Sequence, residues 1–185
     1  LKLKKWINDK SIENLKLEIL EEIQPIIDNV SEKEKDVSNI QTELNDVYKK
    51  SNYLINLPAT EFVEMRYVDA IQEGLFQKLS KDKSIVIYGQ DIAEYGGVFK
   101  VTNGFLEKFG NTRIKNTPII ESGLIGMGLG LSLSGMKPVI EIQFSDYIWP
   151  GLNQLFTEVS RSYYLSNGKW PISCIIRVPT GAYGS

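Results

Sequence analysis

Apolar and polar positions change rhythm twice along this chain. From Ser11, a residue suited to cap a helix and followed by Glu13 in the first turn, apolar side chains recur at Ile12, Leu15, Ile19, Ile23, Ile26 or Ile27, and Val30. That spacing predicts an amphipathic helix. Pro25 lies inside it, removes a backbone donor and is expected to kink or split it, at a cost of about 3 kcal/mol unless neighbours compensate. A charged run from Glu32 to Asp36 then leads into a polar stretch through Lys50, which reads as a solvated helical arm. The segment from Asn52 to Thr60, with Pro58, reads as a linker. The pattern thus separates an arm and linker over 1–57 from a second region over 58–185.

In the second region helix and strand signals alternate. Val68, Ile71, Leu75 and Leu79 mark one face of a helix, and Ser84 to Tyr88 is a short apolar run ending at Gly89, suited to a buried parallel strand. Gly96-Gly97 marks a loop, Leu106 to Phe109 a short helix, and Arg113 to Lys115 a short strand. A Gly-rich helix is predicted over Glu121 to Ser134, a strand over Pro138 to Ile142, a long helix over Tyr147 to Leu165, and a strand over Ile172 to Arg177. Strands separated by helices imply an α/β fold, a parallel sheet with helices on both faces. Ligands on such sheets bind beyond the carboxyl ends of the strands, which directs attention to the loops 89–98, 116–121, 143–147 and 178–185.

Composition narrows the chemistry. The 185 residues carry a formal charge of -2, with a pI near 5.4, so no polyanion partner is indicated. Histidine is absent, which removes Ser-His and Cys-His catalysis and the commonest metal ligand. The single cysteine, Cys174, has no intrachain partner for a disulfide and reads as a buried reduced thiol. No window approaches a membrane span, and the first residues lack a secretion signal, so the expected compartment is the cytoplasm. Any catalysis must use carboxylates, hydroxyls or a cofactor.

Glu121 opens the Gly-rich helix after Asn116-Thr117-Pro118-Ile119-Ile120. An acidic residue there answers the helix dipole, worth about 0.3–1 kcal/mol, without further function. The glycines at 123, 126, 128, 130 and 135 are harder to explain, because each interior glycine costs roughly 0.5–1 kcal/mol against alanine. Tight packing on the sheet or a subunit interface would account for them. A dinucleotide fingerprint would not, since Leu133 stands three residues after Gly130 where G-x-G-x-x-G needs glycine. The segment Glu141-Ile142-Gln143-Phe144-Ser145-Asp146-Tyr147 ends a strand and starts a helix that Ser145 or Asp146 could cap. Gln143 and Tyr147 share the ligand-facing loop layer with Glu121. An aromatic face, an amide and a carboxylate converging there suit a flat heteroaromatic ligand.

These segments, with Gln90-Asp91-Ile92-Ala93, Gly96-Gly97-Val98-Phe99 and Arg177-Val178-Pro179-Thr180-Gly181, resemble the β-subunit of 2-oxoacid dehydrogenase decarboxylating components. The branched-chain members (2-oxoisovalerate, or 3-methyl-2-oxobutanoate, dehydrogenase) are most alike, and the likeness begins near Met65. Leu1 to Ile7, the helix from Ser11 and Asp46-Val47-Tyr48 resemble the last stretch of the α-subunit. The chain therefore resembles a fused α–β form carrying the tail of α and the first part of the β-type, transketolase-like pyrimidine-binding domain.

The resemblance implies the cofactor thiamine diphosphate. Glu121 matches the glutamate that hydrogen-bonds the aminopyrimidine and favours the imino tautomer, whose nitrogen then deprotonates the thiazolium carbon. Tyr147 matches the aromatic that stacks on that ring, Ile119 a residue lining it, and Gln143 a polar residue near the substrate. The implied reaction decarboxylates a 2-oxo acid and passes the acyl group to a lipoyl group on a partner acyltransferase of a multienzyme complex. In that family the diphosphate and magnesium are held by the α-type domain, so α–β pairing or a homo-oligomer completes the site and the isolated chain is expected to be inactive. The family's β-subunit histidine would follow shortly after Ser185. A monovalent cation such as potassium, held by backbone carbonyls near Ile172, Cys174 and Ile175, is a further implication. The alternatives are a pyruvate or acetoin dehydrogenase component and a non-catalytic assembly module.

Overall fold

The computed structural model describes residues 7–33, 39–47 and 60–181. Residues 1–6, 34–38, 48–59 and 182–185, which include Tyr48, part of the charged run and all of the expected linker but Thr60, lie outside the described residues. The chain divides into two compact units, 1–40 and 41–185.

The first unit is built on α1 (Asp9–Glu32). Its N-cap is Asn8 rather than Ser11: the Asn8 side chain accepts from the Ser11 backbone N–H at 2.7 Å. Asparagine outranks serine little at this position, and the one that reaches the free N–H wins. Pro25 does not split the helix, which continues through it to Glu32. Only one ladder bond is forfeited, and the remaining turns hold the axis. The apolar stripe is present as read, yet no described residue of α1 is buried.

A short helix, α2 (Ile40–Val47), begins at the boundary, and the second unit continues with α3 (Tyr67–Lys81), whose stripe ends at the fully buried Leu79. The Arg113 guanidinium donates to the carbonyls of Leu79 and Asp82 at the end of α3 and to that of Ile85 just beyond it, tying the helix end to the segment that follows. The strands are β1 (Ile85–Gly89), β2 (Ile114–Asn116), β3 (Lys137–Glu141) and β4 (Ile175–Arg177). They form a wholly parallel sheet in the order β2-β1-β3-β4. Val86, Ile87, Tyr88 and Gly89 are all buried, as an uninterrupted apolar run on a central strand requires.

The period of two sorts the strand side chains into two cores. Ile87, Ile114 and Val139 pack with Leu79 of α3 and Phe105 of α4 (Phe105–Phe109) on one face. Val86, Tyr88 and Ile140 pack with Leu124 of α5 (Glu121–Leu133) on the other. The expected parallel sheet with helices on both faces is the observed fold.

The glycines of α5 divide by role. A Cβ at Gly128 would lie 2.5 Å from Ile140 Cδ1 and 2.9 Å from the Tyr88 hydroxyl, which itself donates to the Leu124 carbonyl. Gly128 is therefore explained by close packing on the sheet, whereas a Cβ at Gly130 would meet nothing within 4 Å.

The predicted long helix over 147–165 is broken. A 3-10 turn (Ser145–Tyr147) precedes α6 (Trp149–Gln154), a π-helical turn (Leu155–Val159) and α7 (Ser162–Leu165). Pro150 sits at the start of α6, where its missing N–H is harmless, and so fixes where that helix begins. Further on, the hydroxyls of Thr157, Ser160 and Ser162 each donate to the carbonyl four residues back, competing with the regular ladder. Neither Ser145 nor Asp146 provides a cap, since no side chain caps the 3-10 turn or α6. The last strand is also shorter than predicted, because its ladder to β3 begins only at the Val139–Ile175 pair.

Candidate functional site

The four strands end together. Asn116, Gly89, Glu141 and Arg177 form one row of register partners across the whole sheet, the last before the loops. Gly89 is required there: a Cβ on it would fall 2.5 Å from the Glu141 carbonyl oxygen. Glu141 and Arg177 make a bidentate ion pair between neighbouring strands, with side chains only 7% and 19% exposed. Burial pushes the Glu141 carboxyl above the usual carboxylate range, against the pull of the guanidinium.

The loop after β1 is tied down by backbone and side chain alike. Asp91 adopts a left-handed conformation (φ 55°), and its carbonyl accepts from the Gly97 N–H at 2.8 Å. The Asn116 side chain accepts from the Ala93 N–H at 2.8 Å and donates to Glu94. From this loop two neighbouring side chains reach the candidate residues. Gln90, only 9% exposed, donates from Nε2 to Oε1 of Glu121 at 3.4 Å. Asp91 Oδ2 accepts from Nε2 of Gln143, also at 3.4 Å.

Glu121 is half-buried at the first position of α5. Gly151 of α6 packs against its backbone, where a Cβ would lie 3.2 Å from the Glu121 carbonyl. That contact brings the segment after Tyr147 onto the start of α5. Tyr147 is 48% exposed and stands edge-on to Phe144, which in turn stands edge-on to Phe99. Ile119 is 80% exposed and Ile120 half-exposed beside Glu121. Glu121 and Gln143 thus lie on one edge, linked through Gln90 and Asp91. Among the described residues no hydrogen bond joins Glu121 to Gln143 or Tyr147 directly. Gln90 and Asp91 were visible in the sequence as a motif without an assigned part in the site. Their place immediately after the strand-ending Gly89 is the signal that marks them.

Of the residues expected to offer carbonyls to a cation, Ile175 lies in β4, while Ile172 and Cys174 precede it without regular structure. Cys174 is partly buried, and burial pushes its thiol above the usual range. Among the described residues no cluster of three or more acidic or cysteine side chains could hold a metal. A cleft of about 640 Å³ opens at the same edge, lined by Tyr67, Val68, Phe99, Phe144, Arg177 and Val178 among others, and Glu121 is not in its lining.

The donor set fits a flat, nitrogen-bearing ring. A carboxylate with one oxygen held by an amide can accept from such a ring through the other, next to the exposed Ile119 and half-exposed Ile120 that precede it in the chain.

A parallel sheet with this edge defines the class: residues 63–185 match the family described as the transketolase pyrimidine-binding domain, and the chain belongs to that family. Its relatives are more particular. It is 38% identical over 117 residues to the 2-oxoisovalerate dehydrogenase subunit beta of Bacillus subtilis, covering 63% of this chain and 36% of the relative. It is 40% identical over 114 residues to the pyruvate dehydrogenase E1 component subunit beta of Acholeplasma laidlawii, covering 62% of this chain and 35% of that protein. It is also 38% identical over 137 residues to the mitochondrial 2-oxoisovalerate dehydrogenase subunit beta of Dictyostelium discoideum, covering 70% and 37%. The chain thus spans about a third of the length of these curated relatives.

Proposed function

We propose that this chain supplies the pyrimidine-binding wall of a thiamine-diphosphate-dependent 2-oxoacid dehydrogenase, with branched-chain 2-oxo acids as substrates. The observation that carries the reading is the half-buried Glu121 carboxylate at the start of α5, held through one oxygen by Gln90, with the exposed Ile119 two residues before it and the exposed Tyr147 in the loop after β3. In this reading Glu121 accepts a hydrogen bond from the aminopyrimidine and holds the ring in the tautomer that can take up a proton. Tyr147 offers its face to the ring, Ile119 lines it, and Gln143 orients the substrate. Thiamine diphosphate, when bound, supplies the electron sink that lets a 2-oxo acid lose carbon dioxide.

The same reading assigns residues 1–57 to an α-subunit-like tail of a fused α–β polypeptide. Magnesium and the diphosphate belong to an α-type domain, and the acyl group goes to a lipoyl-bearing acyltransferase. Backbone carbonyls near Ile172, Cys174 and Ile175 would hold a monovalent cation.

The test is Glu121→Gln in the full-length protein. Loss of the acid–base partner should lower turnover by roughly 10²–10⁴-fold. Undiminished turnover in a folded variant would sink the proposal and favour a non-catalytic assembly module. The likeness to pyruvate dehydrogenase subunits supports pyruvate as a second substrate reading. Comparing kcat/KM for branched 2-oxo acids and for pyruvate decides between them.

A further inference from the structure

We propose that Gln90 is a positioning residue for Glu121, an inference that rests on the thiamine reading above. Four observations converge on it. Gln90 is nine-tenths buried, so its amide N–H groups are costly to leave without an acceptor. Its side-chain partner among the described residues is Oε1 of Glu121, reached across 31 positions of sequence from a different loop. The peptide that follows is fixed in a conformation that few residues adopt, with Asp91 at φ 55° and its carbonyl bonded to the Gly97 N–H. The preceding residue, Gly89, sits where the sheet has no room for a Cβ. Gln90 is therefore held from both sides and cannot drift with Glu121; it sets where that carboxylate stands.

The consequence is geometric. A carboxylate at a helix start can turn about its side-chain torsions, and a donor on one oxygen limits that turning and presents the other oxygen in one direction. At 3.4 Å the bond is long, as such bonds often are before a ligand closes the site. Asp91 does the same for Gln143 from the next position in the chain, so one dipeptide references both candidate side chains to the central strand. Strained, over-determined backbone of this kind is characteristic of sites where geometry is held for function. The same residue packs on the sheet edge, and the experiment separates that role from positioning.

The test uses the full-length protein loaded with thiamine diphosphate and magnesium. Gln90→Leu keeps the size of the side chain and removes the donor. Calorimetric titration should give a cofactor Kd within about threefold of the parent, whereas deuterium exchange at the thiazolium carbon of the bound cofactor, followed by NMR, should slow about tenfold, the scale of one hydrogen bond to a charged group. Turnover should fall by the same factor, with KM for the 2-oxo acid unchanged.

A role confined to packing would lower the melting temperature and leave the exchange rate of the bound cofactor as it was, and that result overturns the proposal. Gln90→Met carries the same test if the leucine variant does not fold, and failure of both to fold also decides for packing. If the unaltered full-length protein takes up no thiamine diphosphate, the thiamine reading itself fails. If it binds and exchanges normally while Gln90→Leu matches it, only the role of Gln90 fails.

Discussion

Replacing Arg177 by Met would test how the carboxyl edge of the sheet is held. Methionine fills similar space, so the change removes charge and hydrogen bonds rather than volume. It strands the Glu141 carboxylate, whose side chain is 7% exposed and whose two oxygens both accept from the lost guanidinium. Breaking a buried pair in this way costs about 3–5 kcal/mol. An independent ceiling comes from the alternative open to Glu141, which is to take up a proton. With an ordinary glutamate pKa of about 4.3, protonation at pH 7 costs about 3.7 kcal/mol, and at pH 5 only about 1 kcal/mol.

The expected loss is therefore about 3 kcal/mol at pH 7, a large share of a domain's stability, shrinking to about 1 kcal/mol at pH 5. The sign follows from the direction of the shift. Burial already raises Glu141 above its unfolded value, and without Arg177 it rises further. The folded protein then binds a proton that the unfolded chain releases, so stability is retained at low pH and lost as pH rises through the folded value. Urea unfolding followed by circular dichroism at the two pH values measures both quantities. Adding Glu141→Gln to Arg177→Met should recover most of the loss. A cost below about 1 kcal/mol at pH 7 would mean that the pair behaves like an exposed one, and an equal cost at both pH values would mean that the stranded carboxylate is not its source.

Two further outcomes are expected. Gly128→Ala places a Cβ 2.5 Å from Ile140 Cδ1 and should destabilise by about 1–3 kcal/mol, while Gly130→Ala, in open space on the same helix, should stabilise the chain by about 0.5–1 kcal/mol in the same unfolding assay. Lys137 and Ser84 hold the Asp82 carboxyl below the usual carboxylate range, so its contribution is present above that range and disappears as pH falls through it. Melting temperatures taken on acidification should decline less steeply for Asp82→Asn than for the parent.

The central elements were legible because their patterns are long or unambiguous. The apolar run 85–88 between polar flanks, and the spacing of Val68, Ile71, Leu75 and Leu79, leave few alternatives to a buried strand and a helix lying on it. The region 147–165 was not legible, because its apolar spacing says helix while Pro150 and three hydroxyls bonding back to the main chain divide it. Asn8 was missed as a cap because the apolar stripe starts later than the helix does. In the site, Glu121, Gln143 and Tyr147 could be chosen by residue type and loop position. For Gln90 and Asp91 the sequence offered only their place after the strand-ending Gly89; their parts rest on a buried side chain and a left-handed backbone, which the letters do not show.

The shared last row of the sheet, Asn116–Gly89–Glu141–Arg177, also governs what kinds of change the protein can absorb. Insertions in the loops beyond that row lengthen an arm without moving its root, so ligand preference can drift while the frame stands still. A deletion of one residue inside β3 does the opposite. It would turn Glu141 to the face occupied by α5, leave Arg177 facing a methyl group or a void, and carry Gln143 to the wrong side of the edge. Diversity in this edge should therefore accumulate as loop length and loop chemistry, with strand lengths kept in step.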